Sequence, residues 1–260
     1  MNRKINYLSF VLFVFFSGWS VMSAEIAVLG KLTHTQNAQP GEIYKTRIVI
    51  KNLGDQETEI KVFQRDYSYN SDGKQFFHEK GSLQRSNASW ITYSPQQETI
   101  LPGETTEVLC SIHVPDDRIL VGTFWSLILI ESSLSKRYAI QIITNIALTG
   151  KVQVEFVNTS LVREEGNVFL HVDVKNTGER LLSPVLYVEL YEEDGEFVGK
   201  VEAGTWRIYP ESSVRYRAEV THLPAGVYNA MILLDNLDEH VFGTEFLLDL
   251  TSSSSFNFYN

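Results

Sequence analysis

The sequence contains a single cysteine, Cys110, in 260 residues. One thiol cannot close an internal disulfide, so the fold must be held by burial and backbone hydrogen bonding. Helical patterning is also missing. No stretch repeats apolar residues at i, i+3, i+4 and i+7 over the length of a surface helix, which excludes bundles and βαβ architectures. Past the first sixteen residues there is no apolar run of the ~20 residues a spanning helix needs. Basic residues are in the minority, 22 against 32 acidic, giving a net charge of −10. Such a chain has no electrostatic footprint for nucleic acid or an anionic membrane surface. Catalytic signatures are absent as well. The six histidines (34, 78, 113, 171, 222 and 240) form no HExxH and have no cysteine partners for a zinc site. There is no Gly-x-Ser-x-Gly elbow and no phosphate loop. The reading is a non-enzyme with no cofactor and no metal.

The chain opens with an export pattern. Asn2-Arg3-Lys4 is a basic start, Tyr7 to Phe16 is an apolar run of h-region length, and Val21-Met22-Ser23-Ala24 supplies small residues for cleavage. Residues 1–24 are therefore expected to be a signal peptide. Removing Arg3 and Lys4 leaves 20 basic against 32 acidic residues, a balance of −12. The mature chain is expected to be exported, periplasmic or extracellular, with no transmembrane segment.

Short strands separated by turn clusters fill the rest. Val108, Cys110, Ile112 and Val114 alternate with Leu109, Ser111 and His113, the period of a half-buried strand. Cys110 thereby reads as a small core hydrophobe. Thr123 to Ile130 is nearly continuous in apolar residues, which suits a strand buried on both faces. His113 and His171 fall on alternating positions that point to solvent.

These landmarks occur twice. Lys51-Asn52-Leu53-Gly54 returns as Lys175-Asn176-Thr177-Gly178, 124 residues on. Ile100-Leu101-Pro102-Gly103 returns as Ile208-Tyr209-Pro210-Glu211. Gly122-Thr123-Phe124 returns near Gly226-Val227-Tyr228, 104 residues on. The fall from 124 to 104 places about 20 extra residues in the first copy. The chain therefore reads as all-β, two tandem β-sandwiches over 25–149 and 150–251, with an insertion at 66–90 and a disordered Ser/aromatic tail at 252–260. In such sandwiches a tyrosine near the start of a late strand bonds back to the main chain at a corner; Tyr228 fits, with Phe124 in the equivalent place.

The insertion carries Tyr67, Tyr69, Phe76, Phe77 and, at its end, Trp90. Asn70-Ser71-Asp72-Gly73 is a hairpin turn signal. Ser68, Asn70, Asp72, Gly73 and Glu79 match an EF-hand loop in spacing, but Ser stands at its first position and no helices flank it, so a hairpin with an Asp-Gly tip is preferred. The fold does not need the insertion, since the second copy lacks it. At least Tyr69 and one of the two phenylalanines are expected to stay exposed as a contact surface. A second candidate surface is the strand Tyr138 to Leu148, with Ile140, Ile142 and Ile146 alternating along a potential open edge.

Together the Asp66-Tyr67 insertion point, Trp90-Ile91 before a proline, Leu101-Pro102-Gly103-Glu104, Val114-Pro115 and Gly122-Thr123-Phe124-Trp125 resemble bacterial envelope proteins with immunoglobulin-like, PapD-like domains. The first copy is similar to the N-terminal, peptidoglycan-binding domain of WxL-interacting proteins, and the second to their C-terminal half. No C-terminal membrane helix follows, which implies a periplasmic or released protein. Fimbrial chaperones are a looser match. Where the resemblance places their basic anchor, this sequence has Asn145, with Lys151 beyond it. The resemblance implies a partner that is another envelope or surface protein, held through sandwich edges or loops, or else a cell-wall polymer held by the aromatic insertion 67–90. A chaperone would show a long unpaired strand.

Overall fold

The computed structural model describes residues 26–133 and 136–251. The expected signal peptide (1–24) and tail (252–260) lie outside them. Among the described residues no helix is long and apolar enough to cross a membrane.

The first sandwich is built from β1 (Ile26–Leu29), β2 (Thr33–Ala38), β3 (Ile43–Asn52), β4 (Thr58–Tyr69), β5 (Gln75–His78), β6 (Ile91–Ser94), β7 (Gln97–Ile100), β8 (Thr105–His113), β9 (Gly122–Ser132) and β10 (Arg137–Ile146). One sheet runs β1-β3-β8-β6. The other runs β2-β10-β9-β4-β5, with β7 also on β4. The second sandwich uses β11 (Val154–Glu164), β12 (Asn167–Asn176), β13 (Val185–Tyr191), β14 (Phe197–Thr205), β15 (Ser213–Glu219), β16 (Val227–Asp235) and β17 (Val241–Asp249). Its sheets run β11-β12-β15 and β14-β13-β16-β17.

Alternation decides what enters each core. Val108, Cys110 and Ile112 of β8 face Ile128 and Ile130 of β9, all buried, while Leu109 between them is exposed. Each such aliphatic side chain taken out of water contributes on the order of 2 kcal/mol. In the second copy Val214, Tyr216 and Ala218 of β15 share a buried face with Val172 and Val174 of the neighbouring β12. The run Gly122–Ile130 is buried at every position, as a two-faced interior strand requires.

The repeated Lys-Asn-x-Gly has a physical cause. Asn52 and Asn176 are both fully buried. Asn52 Nδ2 donates to Gln56 O (2.7 Å) and Ile100 O (2.9 Å), and its Oδ1 accepts from Gly54 N (2.8 Å). Asn176 makes the same three bonds to Arg180 O (2.7 Å), Ile208 O (2.8 Å) and Gly178 N (2.9 Å). In each copy one side chain thus ties a strand end to the turn after it and to a segment 32 or 48 residues away. The expected corner is formed: Tyr228 OH donates to Pro224 O at 3.0 Å.

Two sequence expectations are overturned. His171 does not face solvent; it is 7 % exposed, between the Arg215 and Arg217 strand and β11, because the arginine side chains lie over that face. The second half of the insertion is not surface decoration. Asp66 is fully buried and accepts from Leu83 N (2.9 Å) and Ser86 Oγ (2.6 Å). Asn87, also buried, donates to Ile142 O (3.1 Å) and Thr144 Oγ1 (3.0 Å) and accepts from Ser126 Oγ (2.6 Å). This segment closes one end of the first sandwich, so every buried polar group there has a partner.

Candidate binding cleft between the sandwiches

Four of the eight candidate site residues are core. Trp90 packs its ring 4.7 Å from that of Phe124 and is buried. Ile140, Ile142 and Ile146 point into the first core, and β10 is not an open edge: β2 pairs with it in parallel from Gln141 to Ile146. The physical reason is that β10 is apolar on both faces. Ile143, on the face opposite Ile142, is also fully buried, against Trp125 and Tyr209. The long unpaired strand expected of a chaperone is thus not β10.

The other four lie on the β4–β5 hairpin. Tyr67 opposes Phe77 and Ser68 opposes Phe76. Both phenylalanines are exposed, Phe76 at 38 % and Phe77 at 55 %. Tyr69 is not the exposed ring expected. Its hydroxyl donates to Arg207 O of the second sandwich, and its ring stands 6.0 Å from that of Tyr209, edge on. Burial pushes the Tyr69 and Tyr209 phenols well above the ordinary tyrosine value, so both remain neutral donors. Two residues past the strand, Ser71 N donates to Ser213 Oγ of β15 at 2.9 Å.

The hairpin is thus one of several bolts between the sandwiches. Trp125 stacks on Tyr209 at 4.6 Å and donates from Nε1 to Tyr67 O (2.8 Å). Tyr209 OH donates to Gln141 Oε1 (2.9 Å), which also accepts from Arg207 Nη1 (2.9 Å). Thr123 N donates to Glu179 O (2.8 Å), and Leu181 N to Thr123 Oγ1 (2.8 Å). Gly122 is where backbones meet. Its φ is +75°, and a Cβ there would lie 2.1 Å from Glu179 O, so the Gly-Thr-Phe-Trp segment tolerates only glycine at its first position.

Beside these bolts the hairpin and β15 leave an open cleft of about 420 Å³. Its aromatic surface comes from Tyr67, Tyr69 and Trp206, the last half exposed, with Tyr209 buried beneath them. Arg207, Arg215 and Arg217 supply its charge. Arg215 grips Asp173 of β12 with two bonds (2.6 and 2.8 Å), and Arg217 pairs with Glu164 while lying 4.3 Å over the Phe169 ring. Among the described residues Arg207 has no carboxylate partner. Asp238, Glu239 and His240 cluster on a surface loop within 4.8 Å, where Asp238 is engaged by His240 N and Asn236 Nδ2 as a turn.

Sequence reasoning missed the second-sandwich wall. One signal was present: Arg215 and Arg217 alternate with Val214, Tyr216 and Ala218, so they had to share an outward face. Another was Tyr209, an aromatic at the turn position that Leu101 holds in the first copy.

No protein-family profile and no curated protein sequence matches the chain. Solved structures do match in fold. A chain from a chaperone–tip adhesin complex of CFA/I fimbriae biogenesis is 11 % identical and aligns with a TM-score of 0.50 over 85 % of this chain and 98 % of its own. The class 5 fimbriae chaperone CfaA aligns at 0.49, with 11 % identity over 85 % and 98 % of the two chains. The Pseudomonas aeruginosa CupB2 chaperone aligns at 0.40, with 10 % identity over 84 % and 98 %. The fold is therefore all-β, a pair of PapD-like, immunoglobulin-like sandwiches. The likeness falls on the looser of the two sequence resemblances.

Proposed function

We propose that this is an exported, non-catalytic envelope protein that binds another surface or fibre protein in a chaperone-like manner, with the β4–β5 hairpin as its contact element. The observation that carries the reading is the pair Phe76 and Phe77. They are adjacent on a four-residue edge strand, project to opposite faces, and are both exposed. Large aromatics held out in water on a rigid support are the residues that dominate protein interfaces. The support is rigid because Tyr69 and Ser71 pin the hairpin to the second sandwich. A contact element ordered before binding avoids part of the entropic cost of association. The export pattern of residues 1–24 and the PapD-like fold agree with this reading.

The test is site-specific photo-crosslinking in cells of the natural source. A benzophenone side chain at position 77 is expected to give one discrete protein adduct, and the same probe at Leu109, which is 60 % exposed on the far sheet, none. Phe76→Ser with Phe77→Ser is expected to weaken capture of that partner by about a hundred-fold or more, two anchors at ~2 kcal/mol or above each. No adduct at 77, or undiminished capture by the double variant, refutes the assignment.

A further inference from the structure

We propose that the cleft between the hairpin and β15 is a binding site for an acidic sugar, a pyranose ring carrying a carboxylate. This goes beyond the protein-binding reading and does not depend on it. The exposed phenylalanines of that reading do not line the cleft.

Charge is the first argument. The chain carries ten more acidic than basic residues, yet the cleft is lined by three arginines and by no aspartate or glutamate. Two of these arginines are already oriented by carboxylates behind them, Asp173 and Glu164, which use only part of each guanidinium fork. Arg207 meets neutral oxygens only, Gln141 Oε1 (2.9 Å) and Thr33 Oγ1 (3.2 Å). A planar carboxylate from a ligand would complete it, the geometry for which arginine is best suited.

Shape and polarity supply the second argument. About 420 Å³ lies within the range of small-ligand sites and is large enough for one or two sugar rings. Trp206 offers a flat apolar face to the cleft, and its indole makes no hydrogen bond among the described residues. Asn70 and Gln75 stand at the rim, both exposed, with side-chain amides that have no protein partner among the described residues. A plain aromatic acid would stack on Trp206 and pair with Arg207 but leave these amides unused. A ring bearing hydroxyls as well as a carboxylate uses all three.

Third, the site is built in advance. Both walls are fixed, the hairpin by Ser71 N to Ser213 Oγ and the floor by the Tyr69–Tyr209–Gln141 bonds, so binding need not order the cleft.

The experiment titrates the mature protein with trigalacturonate, following tryptophan fluorescence and calorimetric heat. Trp206 lines the cleft while Trp125 is buried behind Tyr209, so the Trp206 variant assigns the fluorescence signal. Saturable quenching by trigalacturonate is expected, with maltotriose and benzoate each at least ten-fold weaker. Trp206→Phe is expected to abolish the quenching. Arg207→Gln is expected to weaken the calorimetric affinity about ten-fold or more, the loss of a charge-assisted contact. Arg207 also bonds to Gln141 and Thr33; should its variant fail to fold, Trp206→Ala read by calorimetry and Gln75→Ala carry the test, each expected to weaken binding several-fold. Absence of saturable binding, equal affinity for maltotriose, equal affinity for benzoate, or unchanged binding in these variants overturns the proposal.

Discussion

Replacing Asn176 with alanine tests the physical account of the repeated Lys-Asn-x-Gly landmark. The side chain is fully buried and makes three hydrogen bonds. Alanine removes all three bonds; Ile208 O keeps Leu182 N (3.1 Å), Gly178 N keeps Gln153 O (3.0 Å), and Arg180 O lies in a partly buried position that water can satisfy. A buried polar group left without a partner costs about 1–3 kcal/mol. Here the backbone partners remain, so the loss is that of three hydrogen bonds at about 0.5–1.5 kcal/mol each, about 2–4 kcal/mol in all. Asn52→Ala removes the same three bonds from the first copy, but only Ile100 O lies in a fully buried contact there. Its expected loss is smaller, about 1–3 kcal/mol. Asn176→Asp is expected to be worse than alanine at neutral pH, because a carboxylate would face two carbonyl oxygens with no proton to offer. The assay is urea unfolding followed by far-UV circular dichroism and by fluorescence, with coincident transitions required before a free energy is drawn. A loss below about 1 kcal/mol for Asn176→Ala, or a larger loss for Asn52→Ala, would refute the reasoning.

Other expectations follow from single features. Tyr209→Ala removes the ring stacked on Trp125 and the bond to Gln141; a cost of about 3–5 kcal/mol and a calorimetric melt that splits in two are expected, and an unsplit melt with an unchanged midpoint would contradict the coupling. Glu211 sits at φ +63° where the first copy has Gly103 at +77°; Glu211→Gly should raise stability by about 0.5–1 kcal/mol and Gly103→Ala lower it by about 1–2 kcal/mol, as chemical denaturation would read. Burial pushes the Cys110 thiol up to about 11, so it should resist a thiol reagent at pH 8 in the native protein, and Cys110→Ser should cost about 1–3 kcal/mol. Burial first, then Arg215 and Arg217, lowers the His171 pKa in the folded state despite the opposing Glu164 and Asp173. The unfolded chain therefore binds more protons near its own pKa of about 6.5, and stability falls as pH drops below that value. His171→Gln should show a shallower loss between pH 7.5 and 5.5, and identical slopes would remove His171 as the cause.

The sequence by itself determined what depends on neighbours along the chain. Alternation placed Val108, Cys110 and Ile112 in the core, the unbroken run Thr123–Ile130 announced a strand buried on both faces, and the repeated Asn-x-Gly announced two copies of one sandwich. Each is a local pattern read against a fixed strand period, so no knowledge of distant partners is needed. That one of Phe76 and Phe77 would be exposed was legible for the same reason, because adjacent residues on a strand cannot both face inward; that both are exposed was not.

Tertiary structure alone decided which apolar faces meet which. Ile140, Ile142 and Ile146 look the same in sequence whether their strand is an open edge or is covered, and β2 covers it from 108 residues away. Tyr69 was equally suited to solvent or to an interface until Arg207, 138 residues on, supplied a carbonyl for its hydroxyl. The cleft as a whole has no local signature, since Arg215 and Arg217 come from β15, Trp206 and Arg207 from the segment after β14, and Asn70 and Gln75 from the hairpin of the other sandwich. Their convergence requires the two copies to pack against each other, as the close approach of Gly122 to Glu179 and the stacking of Trp125 on Tyr209 show, and no pattern within either copy records that contact.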